Sequence, residues 1–109
     1  MPPRWLHKLL PRIRELAAAR RVLFTLKARR ELACLALGLD EEDACHVLAN
    51  LTAEESVGRI DSALTGEWMY VFKPVLARTV LYVKLIVRND CVVVSFHEDE
   101  GGGHAEEGA

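Results

Sequence analysis

The sequence predicts an α+β domain, an antiparallel sheet with its helices packed on one face. Three observations lead there. Up to about residue 63, apolar side chains recur every three to four residues, the spacing that gives a helix one buried face. From Glu67 to Glu98 the period changes to two, as in strands. With 109 residues, half of them hydrophobic and 28% charged, the chain has room for one domain and its own core. That domain is expected over residues 1–98, followed by a tail over 99–109.

Residues 5–19 set Leu6, Leu9, Leu10, Ile13, Leu16 and Ala17 on one helical stripe, with Lys8, Arg12 and Arg14 elsewhere on the wheel. Pro11 has no amide proton, which predicts a kink there or a helix that starts near it. Residues 21–24 suit a short edge strand. Thr25 reads as the N-cap of a helix over 26–37 that stops at Gly38. Asp40 caps the next helix, over 41–51, with Glu41, Glu42 and Asp43 where the helix dipole favours acids. Thr52 with Glu55 three residues on is a capping-box pattern, predicting a short helix near 53–63. Strands are predicted over 67–74, 80–88 and 91–98, separated by residues 74–78 and by Asn89-Asp90. From Asp99 the chain is acidic, rich in glycine and without apolar anchors, so disorder is expected.

Composition removes several functional classes. Charged residues interrupt every apolar run before it reaches ~18 residues, so no membrane span is expected. Three cysteines without CxxC spacing argue against a disulfide framework and a structural zinc site, and fit a reducing cytoplasm. No metal site and no cofactor are expected. The net charge of −2 conceals blocks: +8 over residues 1–30, −8 over 31–67, +3 over 68–97 and −5 beyond. A polyanion responds to such local fields more than to the total.

Alternation in the strands sorts the side chains. Leu81, Val83, Leu85 and Val87 share one face with Val92, Val94 and Phe96, and Trp68, Tyr70 and Phe72 join them as core. The other face carries Lys73, Tyr82, Lys84, Arg88, Ser95 and His97, with Ile86 and Val93 between. A two-residue turn at Asn89-Asp90 fixes the register. Arg88 then opposes Cys91, Ile86 opposes Val93, Lys84 opposes Ser95 and Tyr82 opposes His97. Opposed Cβ atoms lie within ~5.5 Å. A phenol, an imidazole and an ammonium are thus expected to meet on the open face.

That set suits an anionic substrate. Cleavage of RNA through its own 2′-hydroxyl needs a base for that hydroxyl, charge stabilisation at phosphorus and an acid for the departing 5′-oxygen. Side chains can supply all three without a metal. Imidazole ordinarily titrates near ~6.5 and can carry either proton. Lys84 and Arg88 would stabilise charge on the phosphate, and Tyr82 would orient it or relay a proton. Arg12, Arg14, Arg29 and Arg30 serve equally well as a phosphate-tracking patch or as plain solvated charge. Cys45 and His46 diverge on their helix and form no ligand set.

The stretch from Leu37 to Glu98 resembles the MqsR family of type II toxin–antitoxin toxins, which belong to the RelE-like fold of mRNA interferases. The features that carry the resemblance are LGLD at 37–40, Leu51-Thr52, a tryptophan strand ending in Phe72-Lys73-Pro74, Leu81-Tyr82-Val83-Lys84-Leu85, and VVVSFHE at 92–98. By position, Tyr82 matches the family's catalytic tyrosine, and His97 falls where the family has a lysine. Arg59 is the basic residue nearest the family's helix lysine. Met69 replaces a glutamine.

The resemblance implies a RelE-like fold and a toxin that cuts single-stranded mRNA as a metal-independent endoribonuclease. Catalysis would fall to Tyr82, His97, Lys84 and Arg59, and substrate binding to Lys73, Arg78, Arg88 and Ser95. The resemblance also implies a cognate antitoxin, and a ribosome is a further candidate partner. The alternative is a non-catalytic RelE-like module that grips RNA or protein. Met69 and the absent lysine favour that alternative, while the Tyr82–His97 pairing opposes it.

Overall fold

A computed structural model describes residues 2–100. Helix α1 (Arg4–Ala18) is followed by β1 (Val22–Phe24), α2 (Leu26–Cys34) and α3 (Glu41–Ala49). A single 3-10 turn (Ala53–Glu55) leads into β2 (Ser56–Asp61), β3 (Trp68–Phe72), β4 (Val75–Leu76), β5 (Thr79–Val87) and β6 (Cys91–Glu98). The main path of the sheet runs β1-β6-β5-β3-β2, with β4 paired to β5. The α+β class is as expected. The sheet, however, is mixed, because β1 runs parallel to β6 while the other pairs are antiparallel.

Helix α1 buries the stripe read from the sequence: Leu6, Leu10, Ile13, Leu16 and Ala17. It begins well before Pro11 and continues past it. Both Pro11 and His7, whose carbonyl loses its helical donor, are exposed, so water can satisfy that carbonyl. Arg14 Nε donates to the Leu51 carbonyl at 2.8 Å, tying α1 to the end of α3. Asp40 caps α3, its carboxylate accepting from the Asp43 amide at 2.8 Å. The two helices and the sheet enclose Leu48, Leu51, Phe72, Leu81, Val83, Leu85 and Phe96, all at 0% exposure. Cys91 is equally buried, and burial pushes its thiol up to about 12.

Helix α2 closes the outer edge of β6. Strand β1 pairs only with Cys91–Val93, and beyond it the edge would carry bare backbone groups. Thr25 N–H donates to the Val93 carbonyl at 3.1 Å, and Glu31 Oε1 accepts from the Phe96 amide at 3.0 Å. Lys27 Nζ bridges Glu31 and the Ser95 hydroxyl, at 2.7 and 2.8 Å. Burial alone would raise the Glu31 pKa, but the bonds from Lys27 and the Phe96 amide outweigh it and hold it low. The helix ends at Cys34, three residues before the expected stop, because Leu35 adopts extended backbone.

The largest correction concerns residues 53–63. The capping pattern is real, since Glu55 accepts from the Thr52 amide at 2.9 Å, but it closes one turn only. The chain then pairs with the outer side of β3 as β2. Gly58, at φ +139, adopts a backbone that opposes a helix and accommodates the bulge between Ser56 and Gly58.

The β5–β6 hairpin also differs near its turn. Val87 opposes Cys91, so the loop is Arg88-Asn89-Asp90, closed by an Arg88 N–H bond to the Asp90 carbonyl at 2.9 Å. Ile86 opposes Val92 there, and Val93 faces the core. An irregularity then skips Val94, restoring the expected pairs Lys84–Ser95 and Tyr82–His97. Trp68, expected in the core, is 42% exposed.

Thr25 caps α2 by accepting from the Ala28 amide at 3.0 Å. Thr25→Ala is expected to cost about 1 kcal/mol, the usual worth of such a cap. Urea denaturation of the parent and the variant measures it.

Candidate functional site

The bond register around Tyr82 builds the site. Tyr82 on β5 and His97 on β6 are directly opposed, and their rings stack at 5.0 Å between centroids and 13° between planes. His97 Nδ1 lies 2.8 Å from the Glu98 carbonyl. A carbonyl only accepts, so Nδ1 carries the hydrogen, and in the neutral ring Nε2 keeps a free lone pair. Lys84 is two residues along the same face, its Nζ 5.9 Å from the Tyr82 ring centroid. Val71 lies opposite Lys84 on β3 and is buried outside the main core, giving the open face an apolar floor.

A cavity of about 520 Å³ opens over this pair. Tyr82, His97, Lys73, Val71 and the β2 residues Val57–Ile60 line it, with Asp99 and Glu100 at one side. Lys73 Nζ is 3.2 Å from the Asp99 carboxylate. The Asp99 amide donates to the Val80 carbonyl at 2.8 Å, fixing this residue beyond the strand. The expected tail therefore includes two described residues, Asp99 and Glu100. Its remainder, 101–109, lies outside the described residues.

The structure gathers Tyr82, His97, Lys73 and Lys84, keeps Arg59 at the lip of the same cavity, and takes Ser95, Arg88 and Arg78 away from it. Ser95 is 1% exposed, its hydroxyl accepting from Lys27, so it is covered and closed to substrate. Arg88 lies at the hairpin turn, about 20 Å along β5 from Tyr82 at strand rise. There it makes two bonds to Glu67, at 2.8 and 2.7 Å. Arg78 occupies the β4–β5 turn at φ +65, with Ala77 before it at φ +51. Arg59 opposes Tyr70 and so shares the helix-covered face. Its guanidinium lies 4.0 Å from the Trp68 ring centroid and 4.9 Å from that of Trp5, while the residue itself forms part of the cavity lip.

Asp99, Lys27 and Glu31 escaped the sequence reading. Asp99 fell within a segment marked by its glycines and acids. Lys27 and Glu31, four residues apart on a helix, look like an ordinary solvated pair. Among the described residues no cluster of three or more His, Cys, Asp or Glu side chains could hold a metal ion. No helix among them is long and apolar enough to cross a membrane.

Residues 6–98 match the family described as motility quorum-sensing regulator, toxin of MqsA. The chain belongs to the MqsR toxin family. Membership makes it the toxin of a toxin–antitoxin pair, with an antitoxin as its cognate partner. The match reaches α1, well before the LGLD segment at which the visible resemblance to MqsR toxins began. Comparison with curated proteins gave no match.

The Arg88–Glu67 pair yields a pH prediction. The Arg88 hydrogen bonds pull the Glu67 carboxyl from 4.5 down to about 2. A folded pKa below the unfolded one means the stabilisation is complete above about 4.5 and is lost as pH falls through about 2. Glu67→Gln should therefore melt below the parent at neutral pH. Thermal melts across a pH series should show the gap closing over that acid window.

Proposed function

We propose that this toxin is a metal-independent endoribonuclease that cuts single-stranded mRNA through its 2′-hydroxyl. The observation that carries the reading is the Tyr82–His97 stack beneath an open cavity lined by Lys73, with the Lys84 ammonium 5.9 Å from the Tyr82 ring. His97 Nε2 takes the 2′-hydroxyl proton as the 2′-oxygen bonds to phosphorus. The bond from phosphorus to the 5′-oxygen breaks, and that oxygen leaves with the Tyr82 phenolic proton. The phenolate is reprotonated from the imidazolium, returning both groups to their starting state. The products are a 2′,3′-cyclic phosphate and a 5′-hydroxyl.

Lys84 and Lys73 place positive charge beside the phosphate, where fixed donors stabilise the transition state most strongly. An unpaired strand suits this face, because unstacked nucleotides can reach the in-line geometry that a duplex forbids. Messenger RNA is accordingly the substrate class, and the antitoxin silences the activity by binding the toxin. The four gathered residues suffice for this chemistry. Arg59, Arg78, Arg88 and Ser95 have no part in the step itself.

Purified toxin incubated with single-stranded RNA in EDTA should cut it. His97→Ala should slow cleavage by about 10² to 10⁴, the usual worth of acid–base catalysis, and Tyr82→Phe should slow it comparably. Folded variants that cut as fast as the parent would sink the assignment. Silence of the parent, on naked RNA and on translating ribosomes alike, would favour the binding module.

Asp99 competes with phosphate for Lys73. Asp99→Asn should raise affinity for a non-cleavable 2′-O-methyl oligonucleotide by up to about fivefold, the range of a partly exposed ion pair. Lys73→Ala should lower it. Fluorescence anisotropy reads both.

A further inference from the structure

A ladder of aromatic rings and one cation rises along the free edge of the sheet. Tyr70 meets Trp5 at 5.5 Å, the Arg59 guanidinium lies over Trp5, and Trp68 closes the stack on its other side. These four residues come from α1, β2 and β3. The inner contact, Trp5 on Tyr70, fastens α1 to the sheet. The outer one does not need to. Trp68 stays 42% exposed, and Arg59 is exposed with no ion-pair partner among the described residues.

We propose that Trp68 and Arg59 form a second substrate subsite, which takes a nucleotide of the single strand flanking the one that is cut. The inference rests on the ribonuclease reading of the Tyr82–His97 site and extends it. Its chemistry follows from the pair. An exposed indole offers a face on which any base can stack, and a guanidinium flat against that indole keeps its N–H fork available to a phosphate. An acidic peptide would use the fork but not the indole. A duplex would offer no unstacked base.

The position also fits. Arg59 belongs both to the ladder and to the lip of the cavity over Tyr82 and His97. Trp68 lies on β3 five residues along from the position level with Tyr82, roughly 16 Å at strand rise, so the subsite takes a base a few nucleotides from the cut. A strand of RNA leaving the cavity over Gly58, which has no side chain to obstruct it, rounds the β2 edge to reach Trp68 and Arg59 on the other face. The bulge between Ser56 and Gly58 turns the edge at that point. The subsite holds the substrate by stacking, so it binds with little preference among bases. Register is left to the phosphate contacts.

The two tryptophans of the chain, Trp5 and Trp68, both lie in the ladder, so selectively excited tryptophan emission reports on it alone. The test titrates the full chain with a short single-stranded 2′-O-methyl oligonucleotide of mixed sequence, which cannot be cut. Quenching of tryptophan emission on binding is expected. Trp68→Ala and Arg59→Ala should each bind about tenfold more weakly, the loss that follows removal of one base–aromatic stack, with Trp68→Phe retaining most of the affinity. Circular dichroism confirms that the variants fold, and the parent's quenching needs no variant at all. Binding without quenching and unaltered in both alanine variants overturns the subsite while leaving the ribonuclease reading intact. No binding by the parent overturns it as well. Binding through Trp68 by a protein that never cuts unmodified RNA retains the subsite and removes the ribonuclease reading.

Discussion

The pairing of β5 with β6 is the constraint on which everything else depends. A one-residue slip in a hairpin turns every side chain to the opposite face. Here the loop is one residue longer than the simplest turn, and the irregularity at Val94 takes that residue back. Without it, Tyr82 would face a core position of β6 and the imidazole would point elsewhere. The irregularity is in turn held by α2, since Thr25 and Glu31 bind the backbone on either side of it, at Val93 and Phe96. The far side of β6 thus fixes what its near side can present.

The opposed charge blocks find their explanation in the packing. Arg20 pairs with Glu42, Arg29 with Glu41 and Arg21 with Asp90, so much of the basic first third is neutralised by acids elsewhere in the chain. Individually such exposed pairs contribute little to stability, because water screens them. Their collective effect is on the field. With that charge cancelled at the helices, Arg59 stands at the cavity lip without an ion-pair partner among the described residues, and Lys73 within the cavity shares its charge with Asp99.

Local signals were legible in the sequence and long-range ones were not. The buried stripe of α1 and the caps Thr25 and Asp40 lie within a few residues of what they control. Alternation likewise located β3, β5 and β6, and two errors in the hairpin cancelled to give the right Tyr82–His97 pair. Strand β2 was invisible because its cap at Thr52 is genuine and because a strand on a sheet edge is specified by its partner. Arg59 was misplaced with it: on a strand, its neighbour across the register is Tyr70, and the tryptophans draw its guanidinium to the covered face. Parallel pairing of β1, joined to β6 across most of the chain, leaves no local trace at all.

The order of the strands carries a consequence for synthesis. β6 is the last strand in the chain yet lies between β1 and β5, so the sheet has a gap until residue 98 is available. Pairing across such sequence separation forms late and slowly. On the ribosome, the emerging chain therefore holds Tyr82 without its histidine, and the core lacks Val93 and Phe96. Until β6 pairs, the chain lacks both the Tyr82–His97 stack on which the proposed cleavage rests and the centre of its sheet.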